Sequence, residues 1–468
     1  MADLICDVAI IGAGTAGLAA ERSARAAGAT TILIDDRFAG TTCATVGCMP
    51  SKLLIAAAHA AHAIRSASVF GIGTQEPQID GVAVMNRLRK ERDGLVTAII
   101  ETIDEIPAGI RQKARARFVD ATTLAFDDGR RVTAKSVVIA TGSRPHVPEM
   151  FEPLKDRILT NETIFDLPDL PSSIAVIGAG PLGLELAQAL VRFGVDTIVL
   201  DEGERLAGLH DDAVAADLCD ILAREFPIHL GVSLSVGRTD RAANLSWDGR
   251  AKGSKTVDYV LVATGRPPQL KELGLEHTGL ELDEHGTLIF DRDTLQCSDS
   301  AIFIAGDADA DRPVLHEAST EGAIAGRNAA SFPKVEPADR GVPFAIMFTD
   351  PPMATLGKLA DDGVVGCASY ADQGRARVEA RNAGLVHLYA EPAEGRLTGA
   401  AMVGPGIDHI SHLIAWAIER GETATKLLEL PFYHPTFEEG LKRALREICA
   451  AVRSPLPRDR DEGALAGS

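Results

Sequence analysis

The stretch DVAIIGAGTAGLAAERSARAAGATTILIDD, residues 7–36, recurs as SIAVIGAGPLGLELAQALVRFGVDTIVLDE, residues 173–202. Each copy has the pattern of a buried strand, a glycine turn, an amphipathic helix and a second strand that ends in an acid. This order is the fingerprint of a βαβ unit that binds a dinucleotide. A single glycine-rich turn would be a weak signal, but two complete copies in register predict two dinucleotide sites.

The three glycines of each turn have separate steric tasks. The first makes the tight turn, the second lets the backbone approach a pyrophosphate, and the third lets the helix pack closely on the strand. In that order they are Gly12, Gly14 and Gly17 in the first copy, and Gly178, Gly180 and Gly183 in the second. Asp35 and Asp201 end the second strand of each copy, where a carboxylate can accept hydrogen bonds from a ribose diol.

A second repeated motif follows each copy. VVIATGSRP (137–145) and VLVATGRPP (260–268) both have the pattern of a buried strand that runs into a Thr-Gly turn, and AIFIAGDAD (301–309) ends in a similar turn. Each segment could simply close a sheet. Repetition at matched points instead favours the carboxyl ends of parallel strands, where ligands bind in open α/β sheets.

Composition narrows the class of protein. At 468 residues the chain exceeds what one hydrophobic core usually supports, which predicts about three domains. The net charge of -19 argues against nucleic acid or an anionic membrane as a partner. Seven scattered cysteines are no secreted disulfide framework. Because the apolar start carries Asp3 and Asp7 and no basic leader, we expect a cytoplasmic protein.

The segment FAGTTCATVGCMPSKLL, residues 38–54, places two cysteines at the start of a predicted helix. On a regular helix Cys43 and Cys48 would point roughly 140° apart, so a bond between them needs a curled turn, which Gly47 permits. Pro50 suits the first turn of the helix, whose dipole would lower the pKa of the Cys48 thiol. The alternatives are two unconnected cysteines or half of a metal site, but no second cysteine pair completes such a site. We therefore predict a redox-active disulfide and no metal.

Over about residues 5–450 the sequence resembles the pyridine nucleotide-disulfide oxidoreductases, and among them most of all the dihydrolipoyl dehydrogenases. TTCATVGCMPSK resembles the family's G-G-T-C-x-N-x-G-C-x-P-S-K, ATGRPP and AGDAD resemble its later nucleotide motifs, and HPTFEE (434–439) resembles its C-terminal signature. The resemblance implies FAD at the first fingerprint, NAD at the second and a homodimer. It also implies an α/β fold with two Rossmann-like dinucleotide-binding domains, as in glutathione reductase, and a C-terminal α+β dimerisation domain.

The expected domain order follows from the repeats and the resemblance. A long helix is expected at about 83–106 and a Pro-rich linker at 331–343. The expected units are an FAD-binding domain at 1–150, an NAD-binding domain at 151–270, the second part of the FAD-binding domain at 271–340, a dimerisation domain at 341–453 and a disordered tail at 454–468.

Carried over residue by residue, the resemblance implies roles for the side chains of the active site. Cys48 would lie beside the flavin and Cys43 would exchange with substrate. Lys52 would lie near flavin N5 and pair with Glu185. His434 would act as the acid and base across the dimer interface. The remaining carried-over catalytic residue is Glu439, which would orient that histidine. The expected FAD contacts are Gly12, Gly14, Gly17, Asp35, Thr42, Lys52, Thr141, Gly142, Gly306 and Asp307, and the expected NAD contacts are Gly178, Gly180, Gly183, Glu185, Asp201 and Gly265.

Three of these side chains also have plainer interpretations. TFEE forms a capping box, with Thr436 as the N-cap and Glu439 three residues later, so His434 could merely precede a helix. Lys52 alone would more often be a solvated helix residue, and Glu185 a surface one.

The implied activity is that of a dihydrolipoyl dehydrogenase, which oxidises protein-bound dihydrolipoamide through the Cys43 and Cys48 disulfide and FAD, with NAD⁺ as acceptor. Asp201 followed by Glu202 favours NAD, because a 2′-phosphate would meet two carboxylates. Mercuric reductase is disfavoured because Cys449 stands alone near the C-terminus.

Two other functions stay open. One is an NAD(P)H-dependent reductase of another disulfide, of the glutathione or mycothiol kind. The other is a flavoprotein electron-transfer subunit with incidental NADH oxidase activity. Thr41, in place of the second glycine of G-G-T-C, and Pro181, where relatives carry valine or an aromatic residue, depart from the family pattern.

Overall fold

The computed structural model of the protein describes residues 3–239, 241–359 and 362–457, which form four β-sheets and the helices that cover them. The helices are α1 (Thr15–Ala26), α2 (Thr42–Thr45), α3 (Cys48–Ser66), α4 (Gly81–Asp104), α5 (Pro181–Arg192), α6 (Asp212–Leu222), α7 (Leu315–Ser331), α8 (Gly374–Val378), α9 (Ile407–Glu419), α10 (Ala424–Leu428) and α11 (Leu441–Ala451). The strands are β1 (Leu4–Ile11), β2 (Thr31–Asp35), β3 (Arg111–Lys113), β4 (Ala116–Phe118), β5 (Thr123–Phe126), β6 (Arg131–Ile139), β7 (Ile158–Leu159), β8 (Ser173–Ile177), β9 (Asp196–Asp201), β10 (Ile228–Leu230), β11 (Val232–Arg238), β12 (Ala243–Gly249), β13 (Gly253–Val257), β14 (Tyr259–Val262), β15 (Ile302–Ile304), β16 (Phe344–Met347), β17 (Met353–Gly357), β18 (Val364–Ser369), β19 (Leu385–Ala390) and β20 (Leu397–Val403).

The two sequence repeats occupy equivalent places in two sheets. In the first sheet β1 lies between β2 and β6 and is parallel to both, and β15 pairs in parallel with β6. In the second sheet β8 lies between β9 and β14, again in parallel. Such strands are covered by helices on both faces and therefore read as continuous apolar runs. Val8, Ile10, Ile174 and Val176 accordingly have no exposed surface.

Small residues bring two helices of the first sheet's cover close together. A Cβ atom at Gly322 would lie 2.1 Å from the carbonyl oxygen of Ala16, and one at Gly326 would lie 2.2 Å from that of Ala20. Any larger side chain at these two glycines of α7 would push it away from α1. This contact fixes α7 behind the glycine turn of the first repeat.

The helix expected at about 83–106 is α4, which spans Gly81–Asp104. It begins earlier because the Asp80 side chain accepts a hydrogen bond from the Ala83 backbone N–H, as an N-cap does. The other two sheets are β11-β12-β13 and the antiparallel β16-β17-β20-β19-β18, which α9 and α11 cover.

One face of α5 carries the contact with the antiparallel C-terminal sheet. Glu185 accepts a hydrogen bond from the Phe348 N–H, Gln188 accepts one from the Asp350 N–H, and Arg192 pairs with the Asp350 carboxylate at 3.0 Å. These three residues of α5 are spaced three and four apart, so they lie on one side of the helix. The segment that follows β16 is thereby held against the second repeat.

One helical segment of the described chain, Thr42–Phe70, is long and apolar enough to cross a membrane by length and composition alone, which is weak evidence. It contains α3, which packs against α4 and α5. Of the predicted tail at 454–468, residues 458–468 lie outside the described part, and residues 454–457 contain no helix or strand.

Candidate active site

A cavity of about 880 Å³ lies where the two nucleotide-binding repeats, the redox loop and the C-terminal sheet meet. Nine of the predicted catalytic and cofactor-binding residues line it. They are Gly14, Thr42, Cys43, Cys48, Lys52, Gly142, Glu185, Gly306 and Asp307. Thr41 is buried, with 8% of its surface exposed, and does not line this cavity.

The redox loop places Cys43 and Cys48 on two different helices. Cys43 lies in the single turn of α2, Val46 and Gly47 reverse the chain, and Cys48 begins α3. A Cβ atom at Gly47 would lie 2.9 Å from the Thr42 carbonyl oxygen, so the curled turn needs glycine here. The two sulfurs are in hydrogen-bond contact. They can therefore form a disulfide without a large movement of the backbone.

The two thiols differ in acidity. The Cys43 thiol donates a hydrogen bond to Cys48 and, together with the charge of Lys52 and the Cys48 backbone N–H, lowers the pKa of Cys48 to about 6. The same hydrogen bond, followed by burial, raises the pKa of Cys43. At neutral pH the reduced pair therefore shares one proton, which Cys43 keeps, while Cys48 is the thiolate. This makes Cys48 the better leaving group of the two.

Lys52 and Glu185 join three parts of the chain beside this thiolate. The Lys52 ammonium lies 2.6 Å from Glu185 Oε2 and 4.6 Å from the centre of the Phe348 ring. The Glu185 side chain is 5% exposed and that of Lys52 is 32% exposed. The pair predicted from the resemblance is thus in contact, and Glu185 is a buried residue and not a surface one.

The glycine turns have the shape that a dinucleotide pyrophosphate needs. Gly12 has φ +107°, and a Cβ atom there would lie 2.2 Å from the Ala140 carbonyl oxygen. A Cβ atom at Gly17 would lie 1.8 Å from the Gly12 oxygen, whereas one at Gly14 would meet no protein atom within 4 Å. The first and third glycines are therefore required by the protein itself, and the second leaves open space in front of the N-terminus of α1.

The second turn repeats this geometry. Gly178 has φ +107° with its Cβ position 2.5 Å from the Ala263 oxygen, the Gly183 position is blocked by the Gly178 oxygen, and the Gly180 position is open. Pro181 occupies the first position of α5, where its fixed φ suits a helix start. The residues of both turns thus fit a bound dinucleotide.

Asp35 and Asp201 have a task within the protein that the sequence did not reveal. Asp35 Oδ2 accepts a hydrogen bond from the Ala13 N–H, and Asp201 Oδ2 accepts one from the Ala179 N–H. Both carboxylates therefore brace the glycine turn of their own repeat. Each carboxylate oxygen has two lone pairs, so the side chains can still accept bonds from a ribose.

The two Thr-Gly turns pair with each other. Thr141 Oγ1 donates a hydrogen bond to the Gln269 carbonyl, the Gln269 N–H donates one to the Gly142 carbonyl, and the His146 N–H donates one to the Gly265 carbonyl. The matched motifs thus form an antiparallel contact between the two nucleotide-binding units. This contact holds the carboxyl ends of β6 and β14 next to each other.

The third turn, after β15, rests on a buried acidic pair. The Gly306 N–H donates a 2.7 Å hydrogen bond to Glu321 Oε2, and Glu321 is fully buried. Burial and the neighbouring Glu321 raise the pKa of Asp309 to about 8. Asp307 faces the cavity and accepts a 2.6 Å hydrogen bond from the Ser143 hydroxyl.

His434 lies away from this cavity. Its Nδ1 is 2.9 Å from Glu439 Oε2, and its side chain is 57% exposed. Burial opposes ionisation of Glu439, but hydrogen bonds from Lys442 and His434 outweigh it and hold its pKa below the ordinary value. Among the described residues of one protomer, the lining of the cavity does not include His434 or Glu439.

The capping box expected in TFEE forms only in part. The Thr436 hydroxyl donates to the Tyr433 carbonyl and caps no helix, and a short 3₁₀ turn begins at Glu438. Glu439 does accept a 3.4 Å hydrogen bond from the Thr436 N–H. The buried carboxylate is shared between this N–H, His434 and Lys442, so the segment is more than a helix start.

Two family models cover most of the chain. The model of the pyridine nucleotide-disulphide oxidoreductases matches residues 6–323, and the model of their dimerisation domain matches residues 343–445. The chain belongs to the pyridine nucleotide-disulphide oxidoreductase family. The family resemblance and the fold class predicted from the sequence are confirmed. Members of this family depend on FAD and a nicotinamide dinucleotide, so the two predicted cofactors are confirmed at that level.

Relatives of this oxidoreductase include enzymes with different substrates. Dihydrolipoyl dehydrogenase of Geobacillus stearothermophilus is 30% identical over 449 residues, which cover 92% of this chain and 93% of that protein. Mercuric reductase of Streptomyces lividans is 30% identical over 471 residues, which cover 95% and 97%. The HOCl-induced flavoprotein disulfide reductase RclA from Escherichia coli has the same fold, with a TM-score of 0.80 and 21% identity over 94% of this chain and 99% of that one. These relatives and the family models together show a disulfide oxidoreductase.

Sequence reasoning missed several residues at the site of this oxidoreductase. Ser143 and Arg266 stand inside the two repeated motifs, GSRP and GRPP, and that repetition was the available signal. Asn161, Glu321 and Phe348 belong to no repeat or quoted motif, so nothing in the sequence singled them out.

Proposed function

We propose that this oxidoreductase is a dihydrolipoyl dehydrogenase, which oxidises protein-bound dihydrolipoamide and reduces NAD⁺. The observation that carries the proposal is the contact between Cys43 and Cys48 at the wall of a cavity that also contains the glycine turn of the first repeat. When bound, FAD supplies the two-electron chemistry that links a dithiol to a nicotinamide. The dimerisation domain supports a homodimer.

In the proposed reaction, His434 of the other protomer removes the proton of a substrate thiol. The resulting thiolate attacks the sulfur of Cys43, the bond between the two cysteines breaks, and Cys48 leaves as the thiolate that its pKa of about 6 favours. The second substrate thiolate then attacks its own sulfur in the mixed disulfide and releases Cys43. The substrate has lost two electrons and two protons. The electrons are on the enzyme dithiol, Cys43 holds one proton, and His434 holds the other.

Glu439 supports His434 in this role. Its carboxylate accepts the hydrogen bond of Nδ1, which orients the ring and stabilises the imidazolium that forms when Nε2 takes a proton. The companion Lys442, 3.0 Å from the other carboxylate oxygen, keeps Glu439 ionised.

For the nucleotide we propose NAD over NADP. Asp201 and Glu202 place two carboxylates where the 2′-phosphate of NADP would bind. Among the described residues near this loop, Arg205 contacts His210 and Arg250 pairs with Glu204, so both arginines already have partners. We also propose the cytoplasm as the location, because the seven scattered cysteines do not form the disulfide framework of a secreted protein.

The Streptomyces lividans relative reduces mercuric ion by its name, but the structure gives this chain little for that chemistry. Cys449 is 1% exposed, and its sulfur lies 3.4 Å from the Thr425 hydroxyl. A buried single thiol cannot deliver a metal ion to the redox pair. Reduction of another disulfide remains the second candidate, because the contact between Cys43 and Cys48 does not by itself select one dithiol.

Anaerobic titration of the yellow protein with dihydrolipoamide tests the proposal. We expect a long-wavelength thiolate-to-flavin absorption band after two electrons, and NADH-dependent reduction of lipoamide that is lost in Cys43→Ser. Turnover of glutathione disulfide but not lipoamide would favour the second candidate. Wild-type activity with quinones only, unaffected by Cys43→Ser, would refute dithiol chemistry and favour an electron-transfer flavoprotein.

A further inference from the structure

Four polar residues follow four strands that end at the cavity. Ser143 follows β6, Asn161 follows β7, Arg266 follows β14 and Asp307 follows β15. The first and last strands belong to the first sheet and the middle two to the second sheet. Because the carboxyl ends of parallel strands gather at one edge, residues far apart in sequence meet here.

These residues form one continuous chain of hydrogen bonds that reaches the redox loop. Ser143 donates to Asp307 at 2.6 Å, and Arg266 donates from Nε to the Ser143 hydroxyl at 3.2 Å and from a terminal nitrogen to the Ser143 carbonyl at 2.9 Å. Its other terminal nitrogen donates to Asn161 Oδ1 at 2.9 Å. Asn161 Nδ2 in turn donates to the Val46 carbonyl at 2.9 Å.

Asn161 is the link that touches the redox loop. It is 3% exposed, and both ends of its amide are used, with Arg266 on the oxygen and Val46 on the nitrogen. Val46 lies between Cys43 and Cys48, in the stretch that must curl for the two sulfurs to meet. A hydrogen bond to its carbonyl therefore acts on the part of the loop that decides their separation.

The guanidinium of Arg266 holds Asn161 in place. Its three hydrogen bonds go to uncharged oxygens of Ser143 and Asn161, and among the described residues no carboxylate lies within ion-pair distance of it. A charged donor to a neutral acceptor makes a stronger bond than a neutral pair does. The amide of Asn161 is thereby fixed with its N–H group toward the loop.

We propose that Asn161, held by Arg266, is a positioning residue that keeps the loop between Cys43 and Cys48 in the curled shape that closes their disulfide. A disulfide forms only within a narrow range of distances and dihedral angles. A loop that relaxes in the dithiol state must return to the curled shape before the bond can re-form. The inference rests on the proposed dithiol chemistry. Arg266, in the GRPP motif that follows the second repeat, then helps to position the redox loop that follows the first repeat.

The test measures the dithiol-disulfide equilibrium of the FAD-loaded protein in mixtures of oxidised and reduced dithiothreitol. The protein dithiol gives two electrons to the oxidised reagent, whose S–S bond breaks as the bond between Cys43 and Cys48 forms. One proton comes from Cys43 and the other from the buffer, because Cys48 is already a thiolate at neutral pH. Alkylation and mass spectrometry then give the fraction of each form. We expect Asn161→Leu to shift this equilibrium about tenfold toward the dithiol, equivalent to about 1.4 kcal/mol.

Thr45→Val is the matched control within the same loop. The Thr45 hydroxyl is buried and makes no hydrogen bond among the described residues, so its replacement by a methyl group removes no contact of this kind. We expect the wild-type equilibrium in this variant. A shift as large as that of Asn161→Leu would mean that loop packing in general, and not the Asn161 bond, sets the equilibrium, and would overturn the proposal.

Two further outcomes separate this inference from the proposed function. If the wild type forms no disulfide between Cys43 and Cys48 at any ratio of the reagent, the proposed function fails and the inference fails with it. If the wild type forms the bond and Asn161→Leu matches it, only the positioning role is refuted. Should Asn161→Leu yield no yellow protein, Asn161→Ser replaces it with the same expected direction, because the hydroxyl is too short to reach the Val46 carbonyl.

Discussion

Replacing Lys52 and replacing Glu185 should have opposite effects on the pKa of the Cys48 thiol. Lys52 lowers the pKa of Cys48, and Glu185 raises it. Lys52→Met should therefore move that pKa up from about 6, and Glu185→Gln should move it down. The alkylation rate of Cys48 in the reduced protein, followed from about pH 5 to about pH 9, measures both shifts.

The same pair predicts an asymmetry in stability. Lys52→Met leaves the Glu185 carboxylate, whose side chain is 5% exposed, with the Phe348 N–H as its only partner in the described part of the chain, a loss of about 3 kcal/mol. Glu185→Gln leaves an ammonium that is 32% exposed and reaches water, a loss of about 1 kcal/mol. Thermal unfolding of the FAD-loaded variants should therefore rank Lys52→Met below Glu185→Gln, although Lys52 is the more exposed residue.

The sign of the pH effect follows from the direction of the Cys48 shift. Its pKa in the folded protein, about 6, lies below the ordinary thiol value of about 8.5. The thiolate of the reduced protein thus contributes stability that is fully present above about pH 8.5 and is lost as the pH falls through 6. Lys52→Met should narrow the pH range over which this stability is lost, and Glu185→Gln should widen it. If both variants shift the alkylation profile in the same direction, or neither shifts it, the electrostatic account of Cys48 is wrong.

Three other predictions concern the acid and base, the glycine turn and the nucleotide. His434→Gln should slow lipoamide turnover by about 10²-fold at unchanged flavin content, whereas His285→Gln, at a site 79% exposed, should not; equal rates for the two variants would remove His434 from the reaction. Gly14→Ala should give a folded protein that binds FAD weakly, because its methyl group enters the open space, while Gly17→Ala should fail to fold. Flavin absorbance per chain measures FAD binding by Gly14→Ala, and a wild-type value would contradict the prediction. NADH should exceed NADPH in kcat/KM by about tenfold or more, and the reverse order would refute the role given to Asp201 and its neighbour.

The parts of the fold that the sequence predicted are those set by local sterics. Gly12 has a positive φ and the Cβ position at Gly17 is blocked, so no other residue fits at either position. This requirement appears in the sequence as a recognisable spacing of glycines. The start of α4 was placed two residues late because the cap depends on one aspartate, Asp80, whose role shows only in the structure.

The missed part of the site depends on contacts between distant segments. Asn161 and Arg266 are 105 residues apart in the chain, and Asn161 and Val46 are 115 apart. Their encounter depends on how the ends of four strands converge, and no local pattern records it. The TFEE segment forms a capping box only in part for a different and local reason, because Glu439 also contacts His434 and Lys442, five and three residues away along the chain.

In the proposed reaction, the position of His434 outside the cavity of its own protomer divides the chemistry between two chains. A protomer that lacks Cys43 can still lend its imidazole, and a protomer that lacks His434 can still offer its sulfurs. Co-assembly of two inactive proteins, Cys43→Ser and His434→Gln, would then restore one working centre in each mixed pair. Dilution that separates the pair would silence that centre while each chain keeps its colour.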